Sequence, residues 1–218
     1  MWDKYVLFID GEAIVIDKPA GLAVHAGSRT PESLEDYLKH FRFGFQRAPL
    51  PVHRLDRDTS GCLLLARNPK AHKSFQRAFE EKKVVKTYVA ILDGVPDAEE
   101  GVVDMPLGKV STPEEGWRMV PETGGKPALT RWRRLRVIDG RAAILFSPET
   151  GRTHQLRVHA REGIGVPIAG DRVYGAGRGP MLLHALSIRV DRGAKPPVEA
   201  RAPLPPTFLQ AGFGHVLG

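Results

Sequence analysis

A carboxylate set among basic side chains and turn residues is the first place in this sequence where chemistry accounts for the residue types better than packing does. In His53-Arg54-Leu55-Asp56-Arg57-Asp58-Thr59-Ser60-Gly61, Asp56 stands just ahead of a short apolar run at 62–66. Held ionised in a cleft, such a carboxylate can act as a nucleophile or a general base. The plain alternative is a turn aspartate that hydrogen-bonds its own backbone. Two further segments mix ionisable or aromatic groups with turn residues, one around Tyr88 and one running from Gly151 through Arg152, Thr153, His154, Gln155 and Leu156 to Arg157. An arginine beside a carboxylate favours the charged form and lowers its pKa, although an arbitrary arginine is more often a solvated surface group. Tyr88 offers a stacking face and a hydroxyl, or is an ordinary strand aromatic; spacing alone does not separate the two.

Other chemistries find less support. His154 and His159 are five apart, which matches neither a helical i, i+4 pair nor alternate strand positions, and no Cys or acid completes a ligand set, so no metal site is expected. The glycine-rich stretches at 165–170 and 175–179 lack the Walker lysine and the strand-to-helix context of a nucleotide site. Cys62, the single cysteine, excludes an internal disulfide and reads as buried packing in a leucine run.

The 218 residues are 42% hydrophobic and 26% charged, enough for one globular domain or two small lobes. Lys and Arg number 32 against 25 acids, a formal +7 that favours a polyanionic partner through phosphate neutralisation but equally serves solubility. No internal repeat is present. The N-terminus has no apolar targeting core, and no apolar run reaches the roughly 18 residues of a membrane span, so neither export nor a membrane is expected and the cytoplasm is the natural location.

The elements that must position these side chains follow from punctuation and periodicity. Residues 5–9 and 13–16 flank Asp10-Gly11 as a hairpin. Thr30 and Pro31 start a short amphipathic helix with Leu34, Tyr37, Leu38 and Phe41 inward. The run 62–66 is a buried strand that places the Asp56 segment at a strand edge. Asn68 and Pro69 start a second helix, with Ala71, Phe75, Ala78 and Phe79 inward. Residues 84–92 form a central strand carrying Tyr88. From 96 to 126 the chain reads as turn-rich and flexible, and its Lys109, Trp117 and Arg118 either line a nucleic-acid groove or pack a loop. An arginine-rich strand at 128–137 pairs with 142–146 around Asp139-Gly140. Thr153 caps a short helix to Ala160 that Gly163 ends. A strand at 182–188 and an irregular, proline-rich exit at 203–206 complete the chain.

Taken together, the segments resemble a known family. His53-Arg54-Leu55-Asp56, two further residues and Thr59-Ser60-Gly61 are similar to the motif around the catalytic aspartate of the RluA-type RNA pseudouridine synthases. The resemblance runs nearly the whole chain, through Lys18-Pro19-Ala20-Gly21-Leu22, Lys86-Thr87-Tyr88-Val89-Ala90, Gly124-Gly125-Lys126-Pro127-Ala128, the stretch 151–160, the stretch 167–175 and Leu183-His184-Ala185.

The resemblance implies that the C1′–N1 bond of a uridine breaks, the uracil turns in place and C5 joins C1′, with no cofactor or metal. It assigns Asp56 as catalytic carboxylate, Arg157 as the cation paired with it, and Tyr88 as the ring that stacks on the target base and whose hydroxyl can take part in proton transfer. Asp58, at a variable place of the motif, fits the catalytic role less well. The family's flipped-out uridine makes Arg54 the candidate wedge for the vacated stack, the alternatives being a phosphate contact or an ion pair. His53, Arg57, Thr59, Lys86, Lys126, Arg152, His154 and Gln155 are expected along the RNA. The implied fold is α+β, a mixed, mostly antiparallel central sheet whose flanking helices and loops form an RNA-binding cleft. Residues 1–218 are expected to form one catalytic domain, without the extra N-terminal RNA-binding module of some relatives, acting as a monomer on large-subunit ribosomal RNA, transfer RNA stem-loops, or both. Two rivals from other classes are a non-catalytic RNA-binding protein on the same fold and a glycosidase using Asp56 with Asp58.

Overall fold

Short apolar runs cut by glycine, proline and Asp-Gly pairs leave little room for long helices, and strands dominate. The computed structural model describes residues 2–27, 30, 32–112 and 116–216. Among these the strands are, in chain order, β1 Val6–Ile9, β2 Ala13–Lys18, β3 Leu50–Pro51, β4 Ser60–Ala66, β5 Val84–Leu92 and β6 Glu100–Asp104, followed by β7 Leu107–Thr112, β8 Gly116–Pro121, β9 Leu129–Ile138, β10 Arg141–Pro148, β11 Leu183–Arg192 and β12 Lys195–Arg201. The α-helices are α1 Pro69–Glu80, α2 Gln155–Val158 and α3 Pro206–Gln210. The fold is α+β, and the pairs β1–β2, β2–β4, β3–β4, β5–β10, β6–β9, β7–β8, β9–β10 and β11–β12 are all antiparallel.

The chain forms two compact units, Met1–Lys86 with Ala185–Pro203, and Thr87–His184 with Leu204–Gly218. In the first, the strand order is β1-β2-β4-β11, with β12 on β11 and β3 on β4. All seven residues of β4 are buried, as a strand covered on both faces requires. Val15, Leu64, Ile188 and Val198 meet Ala71 and Phe75 of α1 in one core. Asn68 caps α1 by accepting the Ala71 N–H at 2.9 Å, with Pro69 at the first helical position. Asp10 closes the β1–β2 turn by accepting the Glu12 and Ala13 N–H groups, each at 2.8 Å.

In the second unit the order is β5-β10-β9-β6, and β7 and β8 form a separate two-stranded ribbon. Ala90, Leu92, Ile144 and Phe146 pack against Leu156 and Ala160. The β9–β10 turn at Asp139-Gly140 has φ of 48° and 73°, the paired left-handed geometry that Asp-Gly tolerates.

Four expectations are corrected. The span 96–126 is built of β6, β7 and β8 rather than turns; these strands bury few side chains, so no alternation marks them, and pairing makes them strands. The first helix is a 3₁₀ segment, Leu34–Phe41, entered at Ser33, whose N–H donates to the Asp36 carboxylate at 2.9 Å; of the expected start, Pro31 lies outside the described residues. The helix expected from Thr153 has His154 at its cap with φ 54°, continues as a π turn over His159–Ile164, and ends at Gly165 with φ 86° rather than at Gly163. The irregular exit extends only over 203–205: β12 precedes it, and α3, whose Phe208 is buried, follows.

Gly61 is the one residue that can stand where it does. Its φ is 105°, and a Cβ there would lie 2.2 Å from the Ala185 carbonyl oxygen, because β4 and β11 run backbone to backbone at this point. Gly61→Ala is expected to cost about 3 kcal/mol or more of stability, the sum of backbone strain and overpacking, read from the midpoint of urea unfolding; an unchanged midpoint would remove the constraint.

Candidate active site

In the first unit Asp56 sits on a turn, not a strand, closed by the Thr59 N–H donating to the Asp56 carbonyl at 3.1 Å. Leu55 and Thr59 are buried on either side and root the turn, while Asp56 is half-buried. The turn is tied to the end of β2 by a buried cation. Lys18 has no exposed surface, and its ammonium donates to the carbonyls of Pro19 at 2.8 Å, Leu22 at 2.7 Å and Arg57 at 3.1 Å. The Arg57 carbonyl also accepts the Gly21 N–H at 2.9 Å. Burial pulls Lys18 down to about 7, opposed by the charges of Asp56, Asp58 and Asp17. Charged, the group supplies all three carbonyls; neutral, it would supply two. Asp58 is engaged by the Arg57 Nε at 3.1 Å.

Around this turn, Arg54 and Arg57 are exposed. His53 is half-buried and engaged: its Nε2 accepts the Leu64 N–H at 3.0 Å, and its ring stacks on Phe79 at 4.8 Å. Burial, with the Lys86 charge, holds His53 down to about 3, against a hydrogen bond with the Arg54 backbone, so it is neutral. Lys86 is itself pulled down to about 8 by burial and lies 5.7 Å from the Phe79 ring.

In the second unit Arg157 and Asp171 form a buried fork-to-fork pair, Nε to Oδ2 at 2.7 Å and Nη2 to Oδ1 at 2.8 Å. Asp171 also accepts the Val173 and Tyr174 N–H groups at 2.8 and 3.1 Å. Burial alone would raise the Asp171 pKa; the Arg157 hydrogen bond and charge and the two backbone donors outweigh it and lower it. The Arg157 guanidinium lies 5.2 Å from the Tyr174 ring. Tyr88, opposite Phe146 on β10, is partly buried against the core of this unit.

Gln155 does not face outward. Its Oε1 accepts from the Thr150 hydroxyl at 2.7 Å and the Arg152 N–H at 2.9 Å, and its Nε2 donates to the Leu129 carbonyl at 3.1 Å and Thr130 Oγ1 at 3.0 Å. With its amide so engaged, it pins the 150–152 loop that leads into α2. Arg152 is exposed and donates to the Pro127 carbonyl at 3.0 Å, beside Lys126. His154 bonds the Tyr174 hydroxyl through Nδ1 at 2.9 Å. His159 bonds Thr130 at 2.9 Å and the Met105 carbonyl at 3.2 Å, a structural role. Among the described residues no three His, Cys, Asp or Glu side chains gather as a metal site.

Asp56 therefore belongs to the first unit, and Tyr88 and Arg157 to the second. The family model described as RNA pseudouridylate synthase matches residues 12–162, a span that contains all three. The chain belongs to the RNA pseudouridylate synthase family. Members are isomerases that convert uridine in RNA to pseudouridine. An uncharacterized RNA pseudouridine synthase of Zymomonas mobilis is 54% identical over 214 residues, covering 96% of this chain and 98% of that one. Ribosomal large subunit pseudouridine synthase C of Rickettsia felis is 40% identical over 174 residues, covering 78% of this chain but 56% of its own length. Several other curated relatives are likewise matched over about half their length, 54% for one from Synechocystis. Among solved structures, human RNA pseudouridylate synthase domain containing 4 superposes with a TM-score of 0.81 at 26% identity, covering 96% of this chain and 92% of that chain.

Lys18, Asp171 and Tyr174 had no role assigned from the sequence, although each lies in a segment that carries the family resemblance. The signal was their company in those segments; nothing in the types themselves marks a lysine for full burial.

The buried pair gives a pH prediction. Because the Asp171 pKa is lower folded than unfolded, its contribution is present above the ordinary carboxylate pKa near 3.8 and is lost as pH falls through the lower folded value. Asp171→Asn is expected to lose about 3–5 kcal/mol at pH 7, the cost of leaving Arg157 buried without its counter-charge, and to lose that part of the acid dependence. Thermal melts of both proteins from pH 7 to pH 2 check this; parallel curves would contradict it.

Proposed function

We propose that this chain isomerises uridine to pseudouridine in ribosomal RNA, transfer RNA or both, with Asp56 as the catalytic carboxylate. The observation that carries the reading is the anchoring of the Asp56 turn: a buried ammonium and two buried side chains hold a half-exposed carboxylate, a costly arrangement for a merely structural aspartate. The rickettsial relative's name supports large-subunit ribosomal RNA, and the formal +7 suits any RNA.

In this reading the two units work as one catalytic domain, since the family match runs through both. A flipped-out uridine stacks on Tyr88. Asp56 is the group that assists departure of uracil from C1′, by attack or by proton removal. The base turns, C5 bonds C1′, N1 gains a proton and C5 gives one up, so the product is an isomer and no cofactor is consumed. Arg157 keeps the role that the family resemblance gives it, the cation of the catalytic set. Arg54, exposed beside Asp56, fills the vacated stack. A monomer in the cytoplasm completes the proposal; among the described residues no helix is long and apolar enough to cross a membrane.

Asp56→Asn is expected to keep RNA binding and to lose pseudouridine formation by on the order of a thousand-fold or more. The check is site mapping of pseudouridine in ribosomal and transfer RNA from cells lacking the protein, treated with each purified variant. Full activity of the variant would overturn the assignment, and RNA binding without modification by the native protein would favour a non-catalytic RNA-binding protein. Tyr88→Phe is expected to bind normally and turn over slowly; an unchanged single-turnover rate would reduce the hydroxyl to a bystander.

A further inference from the structure

The β7–β8 ribbon carries a tryptophan, Trp117, outside the apolar cluster at its foot. Among the described residues β7 and β8 form a sheet of their own, and its apolar packing is at the foot, where Leu107 joins Ala128 and Val158, with Met119 and Tyr174 against them. Beyond Gly108 every described residue of β7 is exposed, and Trp117 on β8 keeps 46% of its surface in solvent. Its indole lies nearly parallel to the His154 ring, at 5.0 Å and 25°, and the Lys109 ammonium is 5.1 Å from it.

The support behind it is fixed. His154 holds a left-handed backbone, φ 54°, which a side chain adopts at a cost. The Tyr174 hydroxyl accepts the Met119 N–H at 3.0 Å and bonds His154 Nδ1 at 2.9 Å, so strand β8 and the His154 ring share one anchor. Lys126 pairs with Leu107 at the foot of the ribbon and adds positive charge.

We propose that this ribbon is a second RNA contact, on which an unpaired base stacks on Trp117 while Lys109 meets an adjoining phosphate. The inference rests on the RNA-directed function proposed above and adds to it a place for bases other than the target. An exposed indole with a neighbouring ammonium suits a base and its phosphate: stacking tolerates any base and the cation serves the backbone. A platform already held by His154 and Tyr174 is ordered before RNA arrives, so binding forfeits little side-chain freedom.

The test measures binding of a fluorescein-labelled oligouridylate of about 12 nucleotides by anisotropy, using the full chain. Trp117→Ala and Trp117→Leu are expected to bind roughly ten-fold more weakly or worse, and Trp117→Phe within about three-fold of native. Leucine keeps apolar bulk against His154 without a π face, so equal losses in both variants, with native-like melting, identify stacking rather than folding. Lys109→Ala is expected to lower the salt dependence by about one phosphate contact. Alanine and leucine variants binding as the native protein does, or no binding by the native protein, overturns the proposal. Pseudouridine formation is scored separately: a native protein that binds through Trp117 but isomerises no RNA sinks the function proposed above and leaves the platform standing.

Discussion

An ammonium taken out of water needs an acceptor for each of its protons, and Lys18 finds them in the carbonyls of Pro19, Leu22 and Arg57. That requirement joins the end of β2, the loop after it and the turn bearing Asp56 into one assembly. It also places positive charge near Asp56, Asp58 and Asp17, which in return keep Lys18 from falling further than about 7. A hydrophobic peg of the same length would fill the space but take a donor from all three carbonyls, of which Arg57 would keep the Gly21 N–H. The arrangement is better understood as fixing geometry than as adding net stability, since buried charges seldom repay their own desolvation.

The second unit solves a similar problem with a different pair. Arg157 is gripped at two points by Asp171, and Asp171 takes two backbone N–H groups that shape the loop to Tyr174. Tyr174 packs its ring near Arg157 and passes its hydroxyl to His154 and the Met119 N–H. A family-motif arginine and an exposed ribbon are thereby joined by contacts that are each short and directional. Their consequence is a second unit whose polar groups hold one another in place.

Much of the scaffold was legible because its signals are local. Asp-Gly at 10–11 and 139–140 marks hairpins, and Asn68-Pro69 marks a helix start, since each depends on the backbone preferences of one or two residues. The ribbon β7–β8 and the edge strand β6 were not legible, because strands with one partner or little burial carry no alternating pattern. In the site, the place of Asp56 just ahead of the buried strand β4 was readable from its neighbours. The full burial of Lys18, the four bonds of Gln155 and the left-handed His154 were not, because each also involves a group distant in sequence: Arg57 for Lys18, Leu129 and Thr130 for Gln155, Tyr174 for His154.

An enzyme that isomerises uridine in RNA must break the C5–H bond as it moves the base from N1 to C5. Release of tritium from ribosomal and transfer RNA carrying 5-tritiated uridine measures that event directly. Release is expected in step with pseudouridine appearing at defined sites, and none when Asp56 is replaced by asparagine. RNA that is bound by the native protein, with target uridines unmodified and all tritium retained, would contradict it.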